Sequence, residues 1–160
     1  MIVKIKKLHP DVVIPTKANQ SDFCYDVTAV TEKEIAPNVW RYGLGFSLQI
    51  DKDGLNSIAY EDKTHKVYVN PGRLSIDLRP RSSVWKTGMV LSNCTGTIDE
   101  GYTGEISAVF YHVMPGMPRY KVGDRIGQIK IGHTCDIDFV EVDELDATDR
   151  GAKGYGSSGE

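Results

Sequence analysis

Leu74-Ser75-Ile76-Asp77-Leu78-Arg79 puts an apolar side chain at every second position and a polar one between. That period belongs to a strand with one face against a core and the other toward water. Asn70-Pro71-Gly72 precedes the run and Pro80 ends it. The same signal recurs outward from there. Ile2 to Leu8 partly alternates apolar residues with lysine, and Arg41 to Ile50 sets Leu44, Phe46 and Leu48 on one side with Ser47 and Gln49 on the other. Shorter runs follow at Lys66 to Val69, Ile106 to Val113, Arg125 to Ile131 and Asp138 to Val142, separated by Gly, Pro, Asn and Asp. Many short strands at such spacing predict an all-β sandwich or barrel. One helix is expected, over Ser82 to Thr87, with the two serines as candidate N-caps and Gly88 as its end. The polar stretch Asp51 to Asn70 reads as a surface hairpin.

With 160 residues, no internal repeat and no linker, the chain reads as one domain able to bury a real core. From Asp146 the apolar spacing stops, so the expected division is a core over residues 1–145 and a flexible C-terminal tail over 146–160. A net charge of −3 argues against gripping a nucleic-acid backbone, which needs a concentrated basic face. Lysines interrupt the apolar residues of the N-terminus and no run approaches a membrane span, so no membrane partner and a cytoplasmic setting are expected. Cys24, Cys94 and Cys135 are odd in number and far apart, and neither they nor the scattered histidines have zinc-ligand spacing.

Three segments carry chemistry. Gly96-Thr97-Ile98-Asp99-Glu100-Gly101-Tyr102-Thr103-Gly104-Glu105-Ile106 reads as strand, tight turn, strand. Its glycines permit positive φ and close approach, while Asp99 and Tyr102 project from the bend. Arg81 before Ser82-Ser83 sets a cation beside a helix start, a ready anion site. The tail Arg150-Gly151-Ala152-Lys153-Gly154-Tyr155-Gly156-Ser157-Ser158-Gly159 cannot pack a core, yet it holds two cations, hydroxyls and an aromatic that could close over a ligand. Taken singly, each also suits a solvated turn, a capped surface helix and a disordered terminus.

Read in order, Ser21-Asp22-Phe23-Cys24-Tyr25-Asp26-Val27, Pro80-Arg81-Ser82-Ser83, Gly96 to Ile106, Gly123-Asp124-Arg125-Ile126-Gly127-Gln128 and Arg150 to Gly159 resemble the five ordered motifs of trimeric deoxyuridine triphosphatases, the dUTPases. The resemblance spans nearly the whole chain. It implies an all-β, jelly-roll-like (β-clip) subunit, a homotrimer with active sites shared between subunits, and Mg²⁺-assisted hydrolysis of dUTP to dUMP and pyrophosphate. Position by position, it implies Asp99 as the base that activates water for attack at the α-phosphorus and Tyr102 as the ring under the deoxyribose. Asp26 would hold Mg²⁺ through water. Arg81, Ser82, Ser83 and Gln128 would bind phosphates, and Arg125 belongs to the fourth motif without an assigned role. In the tail, Arg150, Ser157 and Ser158 would meet the γ-phosphate and Tyr155 would cover the uracil, which main-chain groups beyond Tyr102 would read.

The chain departs from the family pattern at Cys24 and Ser83, where glycine is usual, and at Tyr155 and Ser158, which stand for phenylalanine and threonine. A side chain at Cys24 could displace the Asp26 loop. Two other readings share these motifs. A dCTP deaminase, alone or bifunctional, resembles the Arg-Ser-Ser and Asp-x-Gly-aromatic signatures, but the glutamate its chemistry needs ten residues beyond the aspartate is Val109 here. A nucleotide-switched regulatory binding protein would use tail closure to present alternative surfaces.

Overall fold

The computed structural model describes residues 2–51, 59–61, 66–68, 73–135 and 137–152. Twelve strands run through them: β1 Ile2–Lys7, β2 Tyr25–Thr28, β3 Thr31–Ala36, β4 Val39–Gly43, β5 Phe46–Asp51, β6 Ala59–Glu61, β7 Lys66–Tyr68, β8 Arg73–Arg79, β9 Met89–Leu91, β10 Gly96–Ile98, β11 Ser107–His112 and β12 Arg125–Thr134. Two four-stranded antiparallel sheets, ordered β10-β8-β12-β2 and β3-β4-β11-β9, are accompanied by the separate two-stranded pairs β1-β5 and β6-β7. Leu74, Ile76 and Leu78 are buried while their polar alternates face outward, as the period-two pattern predicts. Their core partners across the sandwich include Tyr42, Leu91, Ala108 and Phe110, in one cluster. Tyr42, Phe110 and Tyr120 meet edge to face, with centroids 5.4 to 6.3 Å apart. Burial pushes the phenols of Tyr42 and Tyr120 up.

Several expectations change. The run Arg41 to Ile50 is two strands, because Gly45, at φ +69°, turns the chain out of one sheet and into another. Glycine is required there on two counts, since a Cβ would also crowd Val30, His9 and Val12. The expected helix is a single 3₁₀ turn, Ser82–Lys86, whose N-cap is Arg81. Neither serine caps it, and Thr87, rather than Gly88, closes it. Asp138 to Val142 forms no strand, and its Phe139 and Val140 stand in solvent. β6 and β7 do pair within the expected 51–70 hairpin, although much of that stretch lies outside the described residues.

At the β3 edge of the β3-β4-β11-β9 sheet, on the face that carries Tyr42, the Arg119 guanidinium stacks over the Trp40 ring at 3.6 Å and donates to Glu32 at 3.1 Å. Val122 N–H donates to the other Glu32 oxygen. The bond from Arg119 holds the Glu32 carboxyl below the usual 4.5 despite some burial.

Candidate active site

The first cluster forms where β2, β12 and the end of β8 meet. Gln128 lies opposite Asp26 on one side and Arg79 on the other. Cross-strand partners share a face, so the Gln128 amide reaches Asp26 Oδ1 at 3.0 Å. Residues three apart on a regular strand point to opposite faces. A bulge between Arg125 and Gly127 adds the residue that returns Arg125 to the same face as Gln128. Its Nη1 donates to Asp26 Oδ2 at 2.8 Å. Gly127 is needed inside the bulge because a Cβ would lie 2.9 Å from the Arg79 carbonyl. Just beyond β8, Arg81 swings its Nε to Asp26 Oδ1 at 3.2 Å. Asp26, 8% exposed, thus accepts from two guanidiniums and an amide, and its backbone N–H bonds the Thr16 carbonyl. With Cys24 two residues before it, Asp26 pairs with Gln128 in the β2-β12 ladder.

The second cluster is the bend after β10. Tyr102 N–H donates to the Asp99 carbonyl at 3.0 Å, closing the turn. The Tyr102 ring, half exposed, folds back across Gly104, and its hydroxyl donates to the Glu105 carbonyl at 3.0 Å. Asp99, Tyr102, Thr97 and Ser107 line an open hollow of about 230 Å³. The strand-turn-strand reading holds, but not as a hairpin. β10 pairs with β8, β11 pairs with β4 and β9, and the bend carries the chain between the two main sheets. None of its glycines has positive φ. Close approach is what Gly104 supplies, to the Tyr102 ring, where a Cβ would meet the hydroxyl at 2.5 Å.

The bend leaves the sheet opposite the middle of β8, whereas the Asp26 cluster lies at and beyond its C-terminal end. Ile98 pairs with Ile76, whereas Gln128 pairs with Arg79 and Arg81 follows two residues later. The strand rise over those residues separates Asp99 from Arg81 by roughly 15–20 Å within one chain. Arg150 lies exposed in the tail, while Tyr155, Ser157 and Ser158 lie outside the described residues. Among the described residues, no three His, Cys, Asp or Glu side chains gather as metal ligands, and no helix is long and apolar enough to cross a membrane. Two residues of this region were not singled out for a role from sequence. Arg125 could have been found only by foreseeing the bulge, and Glu105 had no local signal.

A family model described as dUTPase matches residues 64–159. The deoxyuridine 5'-triphosphate nucleotidohydrolase of Nocardia farcinica is 32% identical over 98% of this chain and 85% of its own length. Its counterpart in Helicobacter pylori strain P12 is 30% identical over 99% of this chain and 97% of its own. The chain belongs to the dUTPase family. Among solved structures, a mutant dUTPase of Staphylococcus bacteriophage 80alpha with dUpNHpp aligns at a TM-score of 0.70 and 21% identity, over 99% of both chains. A mutant dUTPase from phage phi11 of S. aureus, whose structure revealed the coordination of a structural Mg(II) ion, aligns at 0.65 and 16% identity, over 92% of this chain and 100% of that one. The dUTPase jelly roll is therefore the fold of this chain.

Proposed function

We propose that this dUTPase-family chain hydrolyses dUTP to dUMP and pyrophosphate at sites completed between the subunits of a homotrimer. The observation that carries the shared site is the separation along β8. A base and a phosphate-binding arginine must both come within hydrogen-bond reach of one short triphosphate. Asp99 and Arg81 of one subunit cannot do so, whereas the bend of one copy against the Asp26 cluster of another can. The surface also favours association. Ile137, Phe139, Val140 and Val142 stand exposed among the acidic Asp138, Glu141 and Asp143. An apolar hollow of about 390 Å³ lined by Val3, Ile5, Tyr25 and Ile129 lies beside Lys130 and the lysine-bearing β1. The acidic, apolar segment of a second copy suits that hollow in shape class and charge.

At such a site Asp99 orients water and takes its proton as the oxygen attacks the α-phosphorus in line. The bond from that phosphorus to the α,β-bridging oxygen breaks, and pyrophosphate leaves. Arg81, Gln128 and, from the tail, Arg150 meet the charge on the phosphate oxygens. Ser82 and Ser83 add donors, and Ser157 and Ser158 reach the γ-phosphate. The exposed Tyr102 face seats the deoxyribose, leaving no room for a 2′-hydroxyl, while Tyr155 covers uracil.

Mg²⁺ fits here through water only. Asp26 has already committed three of about four carboxylate acceptor sites to Arg81, Gln128 and Arg125, leaving one on Oδ2 for the water of a hydrated ion. The bound ion would supply further positive charge to the phosphates. Deamination is disfavoured because Val109, on β11, carries no ionisable group. The test is pyrophosphate release from dUTP, dCTP and dTTP with and without Mg²⁺. Release from dUTP alone is expected, and intact dUTP in the presence of Mg²⁺ would refute the assignment.

A further inference from the structure

We propose that Glu105 is a positioning residue that holds the Tyr102 ring in place and thereby sets discrimination between deoxyribose and ribose. The proposal rests on the seating of the sugar against Tyr102. From Ile106 onward the main chain is held by sheet contacts: Ile106 N–H donates to the Phe46 carbonyl at 2.9 Å, and the Ile106 carbonyl accepts from Leu44 N–H at 3.0 Å. The bend before it has no ladder of its own. Glu105 extends the anchorage outward by one residue. Its Oε1 accepts from Gly45 N–H at 3.0 Å, and its carbonyl accepts from the Tyr102 hydroxyl at 3.0 Å. A single residue thus connects the rigid corner between β4 and β5 to the tip of the ring.

Both ends of this connection are built for it. Gly45 sits in the left-handed region, walled in by Val30, His9 and Val12, so its N–H direction is set by the packing of the corner. Gly43 leaves the space the carboxylate occupies, since a Cβ there would lie 2.5 Å from Glu105 Oε1. Glu105 itself is exposed, and so contributes no core packing that would explain its pose. Excluding a 2′-hydroxyl is a matter of distance. A site has to hold its contact surfaces to about 0.5 Å to act as a steric filter. A ring released from its anchor, and able to drift by about 1 Å, admits the extra oxygen that the held ring excludes.

The experiment compares full-length wild type with Glu105→Ala, Glu105→Gln and Glu105→Asp, measuring kcat and KM for dUTP and UTP and the melting temperature. Glu105→Ala should lower the dUTP:UTP ratio of kcat/KM by about tenfold, through KM for dUTP and through gained UTP turnover, with kcat for dUTP within about twofold. Glu105→Gln keeps a carbonyl acceptor of equal reach and should stay within about twofold of the wild-type ratio. Glu105→Asp keeps the charge but is one methylene short, so it should behave like the alanine variant; it carries the test should alanine fail to fold. A folded Asp or Ala variant with the wild-type ratio overturns the proposal. So does a Gln variant as impaired as alanine, because charge rather than reach would then be acting. Failure of the underlying assignment would show separately, as wild-type protein that leaves dUTP intact.

Discussion

Two variants that are each inactive should restore one another when combined in one trimer. Asp99→Asn removes the proposed base and should cost about 10²- to 10⁴-fold in turnover, and Arg81→Ala removes a proposed charge-stabilising contact worth about 10²- to 10³-fold. The rise of β8 from the partner of Ile98 to the residues leading into Arg81 keeps their backbone positions roughly 15–20 Å apart in a single chain. A triphosphate cannot bring both to its α-phosphate. Each site must therefore draw the bend from one subunit and the Asp26 cluster from another. In a one-to-one mixture assembled at random, half of the bends and half of the clusters are intact, so about one quarter of the sites regain both. The assay is co-refolding of the two variants followed by pyrophosphate release from dUTP with Mg²⁺. About a quarter of wild-type activity is expected, against about one per cent or less for either parent trimer. Activity no higher than the mean of the parents would refute the shared site and return both motifs to one chain.

Gly45→Ala places a side chain in left-handed backbone, at about 1–2 kcal/mol, and against Val30, His9 and Val12, at about 1–3 kcal/mol more. For a chain of this size that should lower the melting temperature by about 5–15 °C, and an unchanged melt would contradict the corner geometry. Glu32→Gln tests the Arg119 contact. The folded carboxyl titrates below 4.5, so its stabilisation is complete above that value and is lost as pH falls through the lowered one. The variant should melt lower at pH 7, by the equivalent of about 1 kcal/mol given partial exposure. That gap should close as the pH falls below 4.5 and through the lowered value, and a gap independent of pH would show that the ion pair is not its source. Truncation before Arg150 should leave the assembly intact by light scattering while cutting turnover by about 10²-fold or more; full activity would remove the tail from the site.

The all-β class was legible because strands such as β8 and β11 each have one wet face, and alternation encodes that directly. What it does not encode is partnership. Arg41 to Ile50 keeps its apolar period straight through Gly45, so only the positive φ there reveals that the run serves two sheets. The strand-turn-strand pattern around Asp99 leaves pairing open for the same reason: two strands joined by a turn look alike in sequence whether they pair together or separately. For the candidate site, motif order singled out Asp26, Arg81 and Gln128, which the structure brings together. It could not show Arg125 joining them, because the bulge acts through register. Nor could it show Asp99 standing far from them, because spacing along a chain does not give distance across a sheet. Asp138 to Val142 has the composition of a strand, yet pairing requires a neighbour, and among the described residues of one subunit it has none.

The bond from Asp26 to two guanidiniums has an entropic side. Long cationic side chains normally lose about 2 kcal/mol of rotamer freedom when a ligand immobilises them, but Arg81 and Arg125 are tethered to the buried carboxylate before any nucleotide arrives. Their ordering is thus completed during folding, and an incoming anion meets arms that are already aimed. The same carboxylate competes for those arms afterward. At the proposed site a triphosphate, with several charges spread along its length, would draw on Arg81 strongly, whereas a monophosphate would have less to offer against Asp26. A contact that prepares the arms for the reactant therefore also loosens the hold on the shortened product.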